Sequence, residues 1–138
     1  MSVNVCLYNK KHREGLIALW LEAFPNDPPW NEPNIALEEK LKHQPELLFV
    51  AEDKSKIVGS VMAGYDGHRG WIYSVAVSLD HREKGTASVL LEKAEKALIK
   101  LGCVKVNLQI RSDNYGVQEF YKKNGYSIED RISMGKKV

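Results

Sequence analysis

The segment Val75-Ala76-Val77-Ser78-Leu79-Asp80-His81-Arg82-Glu83-Lys84-Gly85-Thr86-Ala87-Ser88 holds the residues best placed to do chemistry. It runs from an apolar strand, through a loop with a glycine, into a long helix. A helix N-terminus leaves its first amides unpaired and carries a partial positive charge. Together these make an anion site, with phosphate the usual guest. Gly85 and the small Ala87 let a ligand approach the backbone closely, and Arg82 and Lys84 add positive charge. The plainer reading is a capped helix after a surface loop. There is no G-x-x-x-x-G-K-[ST] and no G-x-G-x-x-G, so neither a P-loop nor a Rossmann dinucleotide site is supported.

The elements that must position this segment follow from periodicity. Val3, Val5 and Leu7 alternate with polar residues and predict a strand. Asn9 is placed to cap a helix from about Lys11 to Ala23. Four of the five prolines lie in the next stretch, Pro25–Pro33. A short helix follows, from Asn34 as cap to about His43. Leu47–Glu52, Ile57–Tyr65 and Trp71–Val77 read as three strands of an antiparallel meander. Ala87, Leu90, Leu91, Ala94, Leu98 and Leu101 form the apolar stripe of the clearest helix, with Gly102 as its C-terminal cap. Val104–Ile110 alternates as a strand. A short helix over about Tyr115–Lys123 and a last strand, Tyr126–Met134, complete the chain. The run from Trp71 to Ile110 is a strand–helix–strand crossover, so its two strands should be parallel. The expected class is α+β, layered α/β/α: a mixed, mostly antiparallel twisted sheet with about four helices.

At 138 residues the chain is expected to be one domain, 1–138. The formal net charge of +2 argues against a polybasic nucleic-acid module. No apolar run reaches the ~18 residues of a membrane span, and Met1–Lys10 lacks the apolar core of a signal peptide. A cytoplasmic location is expected. Cys6 and Cys103 form no C-x-x-C and have no metal spacing with the four histidines. They read as buried free thiols, and no metal site is expected. His12, His43 and His81 read as surface residues, and Trp71, Tyr65 and Tyr73 as packing residues.

Arg82-x-x-Gly85-x-Ala87, between a strand and a long helix, resembles the [Q/R]-x-x-G-x-[G/A] signature of the GNAT N-acetyltransferases. Asn114 followed by Phe120-Tyr121-Lys122-Lys123-Asn124-Gly125-Tyr126 resembles that family's second hallmark. The element order is similar over nearly the whole chain. The Gly64–Gly70 turn and the Pro-Trp-Asn segment further resemble a small bacterial subgroup, the YpeA-like acetyltransferases.

The resemblance implies acetyl-CoA as acyl donor. It implies that amides from Arg82, Glu83, Lys84, Gly85, Thr86, Ala87 and Ser88 hold the pyrophosphate. It implies that Val75, Ala76 and Val77 pair with the pantetheine arm, with a strand amide polarising the thioester carbonyl. The arm would enter where the two central parallel strands splay. Asn114 would contact the arm, and Tyr121 would protonate the departing thiolate. Many members have glycine where this chain has Glu83, and a carboxylate near a pyrophosphate is unfavourable unless it points away. The activity implied is direct acetyl transfer to a primary amine, small-molecule or peptide, with no acyl-enzyme. A non-catalytic acyl-CoA-binding or sensor module on the same fold is the alternative. Neither nucleic acid nor membrane is an expected partner, and the chain is read as a monomer or homodimer.

The chemistry of Tyr121 is sound in principle. A thiol has pKa ~8.5 and a phenol ~10, so a neutral tyrosine can donate to a developing thiolate. Tyr121 could equally be a core aromatic. The base is less determined. A lysine-like amine near pKa ~10.4 costs about 4.6 kcal/mol to deprotonate at pH 7, an α-amine only about 1 kcal/mol. Asp66, Glu32, Asp113 or a water chain are the candidates. His68, in the turn with Asp66 and Arg69, is either an acid–base group or an exposed residue. In the family the region between the first two helices often walls the acceptor site. Here Asp27, Trp30 and Glu32 could hold a cationic amine there; the plainer reading is a rigid surface connection.

Overall fold

Alternating apolar runs become strands here where a neighbouring strand supplies a ladder. The computed structural model describes residues 3–138. In chain order the elements are β1 (Val3–Leu7), α1 (Arg13–Ala23), α2 (Pro33–Lys42), β2 (Leu48–Asp53), β3 (Lys56–Tyr65), β4 (Gly70–Val77), α3 (Thr86–Lys100), β5 (Val106–Asn107) and α4 (Tyr115–Lys123). Short 3-10 turns lie between several of them. The sheet order is β1-β2-β3-β4-β5. The first three pairings are antiparallel and β4–β5 is parallel. The expected class, a mostly antiparallel mixed sheet with four helices and one parallel pair, is what forms. By contacts the chain divides into a unit ending at Leu108 and a unit of Gln109–Val138.

In the first unit, Leu48, Phe49, Val50 and Ala51 are all buried, so β2 is covered on both faces. Leu16, Leu19 and Trp20 of α1 and Leu37 of α2 pack with Leu48, Val50, Ile57 and Ala76 on one face. The Trp20 indole N–H donates to the Ser60 hydroxyl at 2.9 Å, which places Ser60 on that face. Its neighbour Gly59 points the other way. A Cβ at Gly59 would stand 2.8 Å from Leu90 Cδ1, so only glycine lets α3 lie this close. Leu90, Leu91, Ala94 and Leu98 of α3 are buried, each leucine contributing about 2 kcal/mol. Leu101, at the end of the expected stripe, is exposed.

Local signals account for the ends. Asn9 accepts from Lys11 N at 3.0 Å, and its own N–H donates to His12 Nδ1 at 3.0 Å, a capping box. The α2 cap is Glu32 rather than Asn34: its carboxylate accepts from Asn34 N and Ile35 N, both at 3.2 Å. Asn34 instead lies inside the helix, one residue after Pro33. Buried Lys40 of α2 donates to the Ala63 carbonyl of β3, which ties the helix to the sheet.

Three strand expectations need correction. The segment expected as a strand over 104–110 is extended in a ladder only at Val106–Asn107. Among the described residues β5 therefore lies at the sheet edge, with its parallel partner β4 inside it, so the parallel pair is not central. Tyr126–Met134 is not a strand. Arg131 N donates to Glu129 O, a tight turn that breaks the alternation, and Ile128, Ile132 and Met134 stay exposed. Gln109 and Ser133 side chains still bond to each other, so the two segments meet without a backbone ladder.

Candidate active site

The site begins with an irregularity in β4. Ser60 pairs with Ala76 but Met62 pairs with Tyr73, so three steps on β4 match two on β3. The extra residue is a β-bulge, and Ser74 takes φ +50° to make it. A bulge withdraws backbone groups from the ladder and re-aims them. On the other edge of β4, β5 pairs only at Gly70 and Trp71. From Ile72 to Val77 that edge has no strand partner among the described residues. The parallel ladder thus ends after two residue pairs, short of the bulge.

Ser74 also lines a cleft of about 20 Å³ with Trp20, Phe24, Asp27, Asn31, Pro33 and Ala36. That volume fits one water-sized group, which is also the size of an ammonium head. Residues of the proline-rich segment Pro25–Pro33 form one wall of this cleft. Of the acceptor residues expected there, Asp27 lines the cleft and Trp30 and Glu32 do not.

Beyond β4 the chain makes a 3-10 turn, Leu79–His81, and then the loop to α3. The Arg82 Nε donates to Val77 O at 3.1 Å, so it ties the loop back onto the end of β4. Glu83 and Gly85 both adopt left-handed backbone, φ +62° and +83°. Gly85 is the N-cap of α3 and provides no side-chain hydrogen bond to the first turn. That turn contains no acidic residue. The Thr86 hydroxyl is buried and has no hydrogen-bond partner. A buried orphan hydroxyl beside uncapped amides costs free energy unless a ligand satisfies it. These residues fit a diphosphate. Nothing lies within 4 Å of where a Gly85 Cβ would be, so approach is open on that side.

Asn114 and Tyr121 belong to the second unit. Asn114 caps α4, its side-chain oxygen accepting from Val117 N at 3.3 Å. α4 ends at Gly125, φ +93°, with Tyr126 N donating to Tyr121 O. Tyr121 is buried and packs edge-on against Phe120 and Tyr126. Burial pushes its phenol up to about 12. It therefore stays protonated across the ordinary pH range.

The base candidates separate. Asp66 accepts from His68 N at 2.7 Å and Arg69 N at 2.8 Å, and these bonds hold its carboxyl below the usual range. Glu32 is held down likewise by the bonds from Asn34 and Ile35 that make it a cap. Both are turn or cap residues with their lone pairs engaged, and weakened as bases. Asp113 is exposed in the second unit, and His68 is exposed. Tyr73, expected to pack, is 46% exposed.

Two histidines correct the surface expectation. His12 is buried, and its Nε2 lies 3.4 Å from Glu52 Oε1. Cys6, His12 and Glu52 gather with ligand atoms within 4.8 Å of one another. Nδ1 of His12 accepts from Asn9 N, so the neutral ring carries its proton on Nε2. That nitrogen has no lone pair for a metal or for the thiol proton. Burial, reinforced by Glu52, pushes the Cys6 thiol up. The trio is thus poorly suited to nucleophilic work. His81 is also mostly buried, bonded to Ser78 and Asp53.

A splayed parallel pair, a bulged strand and an open helix start define a fold shared with solved acetyltransferases. The structure of aminoglycoside acetyltransferase AAC(6′)-Iy, in complex with a bisubstrate analogue of CoA, is similar with a TM-score of 0.84 at 19% identity, over 100% of this chain and 99% of that one. The PaiA N-acetyltransferase of Thermoplasma acidophilum, solved with coenzyme A, is similar with a TM-score of 0.81 at 21% identity, over 96% and 94%. An acetyltransferase of Yersinia pestis is 43% identical over 136 residues, 99% of this chain and 96% of the relative. The family model described as acetyltransferase (GNAT) family matches residues 13–126. The chain belongs to the GNAT acetyltransferase family. No helix among the described residues is long and apolar enough to cross a membrane.

Proposed function

We propose that this protein transfers the acetyl group of acetyl-CoA directly to a cationic primary amine, small-molecule or peptide, without an acyl-enzyme. One observation carries the reading: a single strand–loop–helix run joins a bulge lining an amine-sized cleft to an uncapped helix start suited to a diphosphate. Acetyl-CoA supplies the activated thioester. Amides from Arg82 to Ser88 hold its diphosphate. The open edge over Val75–Val77 pairs with the pantetheine arm, and an amide freed at the bulge stabilises the developing oxyanion. Asp27 holds the amine in the cleft. Asn114 contacts the arm, Tyr121 protonates the departing thiolate, and the protons that the amine loses pass to solvent through a water chain. Direct transfer is supported by the thiols: Cys103 is buried and donates to Lys105 O, and Cys6 faces a histidine with no lone pair to offer. The family match spans both units, which favours a single functional domain. Two free thiols favour a cytoplasmic location. The modest charge of +2 gives no reason to add a nucleic-acid partner.

A paired substitution tests the acceptor assignment. Asp27→Asn should raise KM for the amine about tenfold or more, with KM for acetyl-CoA unchanged, because a charged hydrogen bond contributes about 1.5–3 kcal/mol. Glu32→Gln should leave the amine KM alone and destabilise the fold by about 1 kcal/mol or less through the α2 cap. Steady-state kinetics and urea unfolding measure both. Equal effects on KM from the two variants would remove Asp27 from the acceptor site.

Glu83 invites a gain-of-affinity test. Left-handed backbone costs a non-glycine residue about 1–2 kcal/mol, while glycine costs about 0.5–1 kcal/mol in unfolded-state entropy. Glu83→Gly should therefore not lower stability. It removes a carboxylate beside the diphosphate site, so KM for acetyl-CoA should fall severalfold. A raised KM would mean that Glu83 helps to bind the donor.

A further inference from the structure

We propose that His81 and Asp53 are positioning residues for acetyl-CoA, acting by fixing the turn from which the diphosphate loop springs. This rests on the placement of the diphosphate at Arg82–Ser88. His81 Nδ1 is 2.9 Å from the Ser78 hydroxyl, and its Nε2 is 2.9 Å from Asp53 Oδ2. The imidazole therefore bridges the end of β4 to the end of β2. The turn is held from other sides as well. Ser78 N donates to Val58 O at 2.8 Å, and Leu79 N donates to Glu22 Oε2 of α1 at 3.3 Å. Arg82 follows directly on His81, and the left-handed Glu83 and Gly85 follow that. The loop amides can serve a diphosphate only if they are aimed before it binds. A bridge anchored in the sheet provides that aim at low entropy cost.

Ser78, His81 and Asp53 have the residue types of a hydrolase triad, but the surroundings oppose that role. Ser78 is only 5% exposed. Its own N–H is used by Val58, and the next N–H, at Leu79, faces the Glu22 carboxylate. No amide there is left to stabilise an oxyanion, and a carboxylate stands where the oxyanion would form. The three residues hold a turn; they do not attack a carbonyl.

The experiment measures acetyl-CoA Kd by calorimetry, and kcat at saturating acetyl-CoA, for full-length variants whose circular dichroism is native. His81→Ala and Asp53→Ala should each raise Kd about tenfold, the coupling expected within one hydrogen-bonded network, and leave kcat within about twofold. Asp53→Asn, which keeps an acceptor for His81 Nε2–H, and His81→Gln, which keeps a donor for Asp53, should recover most of the affinity. The double alanine variant should bind no worse than the weaker single one. If both alanine variants bind within twofold of wild type, the inference is overturned. The same holds if the conservative variants give no recovery, since bulk destabilisation would then explain the loss. Ala87→Asp separates the two readings: if it too leaves Kd unchanged, the diphosphate placement itself fails and the inference goes with it.

Discussion

Ala87→Asp should abolish acetyl-CoA binding while leaving the protein as stable as before, or slightly more so. The two effects have opposite signs and one cause. Ala87 is the second residue of α3, whose N-terminal turn has uncapped amides and no acid. A carboxylate in a helix's first turn is stabilising by about 0.3–1 kcal/mol. The same carboxylate occupies the amides proposed for the diphosphate and repels a polyanion. Like charges brought together at a binding surface cost several kcal/mol, which is a loss of about a hundredfold or more. Calorimetry gives the affinity and urea unfolding gives the stability. Loss of affinity together with loss of fold would not test the placement, so Ala87→Asn serves as a neutral companion of similar bulk. It should bind within about tenfold of wild type. Unchanged binding by the Asp variant would move the diphosphate elsewhere.

Tyr121→Phe should lower kcat by about a hundredfold or more, the usual contribution of a positioned acid, with little change in acetyl-CoA Kd. The phenol, pushed up to about 12 by burial, stays protonated where a free tyrosine would begin to ionise. The alkaline limb that ionisation of Tyr121 would give should thus be absent from the kcat–pH profile up to pH 10. The same shift bears on stability. A folded value above the unfolded one means that the native state holds its proton longer. Stability attributable to Tyr121 is full below about pH 10, the unfolded value, and is lost as pH rises toward 12. Removing the hydroxyl should therefore flatten the alkaline fall in stability as well as slow the enzyme. A Tyr121→Phe variant with wild-type kcat and rate-limiting chemistry would leave Tyr121 as a packing aromatic between Phe120 and Tyr126.

What could be read from the sequence was local. The stripe Leu90, Leu91, Ala94, Leu98 and the glycines at 85 and 102 declared α3 and both its ends, because helix periodicity and capping act within a few residues. The uncapped start of α3 was legible for the same reason. The bulge at Ser74 was not. Tyr73-Ser74-Val75-Ala76-Val77 alternates like a regular strand, and no glycine marks the left-handed residue. The extra residue is dictated by register against β3. Glu32 was read as an acceptor contact and base because its position as a cap depends on where α2 starts, one residue after it. His81 was read as a surface residue because Asp53 lies 28 residues away and only strand pairing brings it near. The last strand failed for the converse reason. Ile128, Ile132 and Met134 alternate, but alternation makes a strand only where a neighbour supplies a ladder and a covering face.

The most direct test is CoA release in the presence of acetyl-CoA and a matched pair of amines, a primary amine against its tertiary analogue, with the product identified by mass. The account predicts CoA release with the primary amine, a product heavier by one acetyl group, and no release above background with the tertiary one. It also predicts that Asp27→Asn raises the KM of the primary amine. Tight acetyl-CoA binding with no CoA release for any amine would contradict it and favour a non-catalytic acyl-CoA sensor.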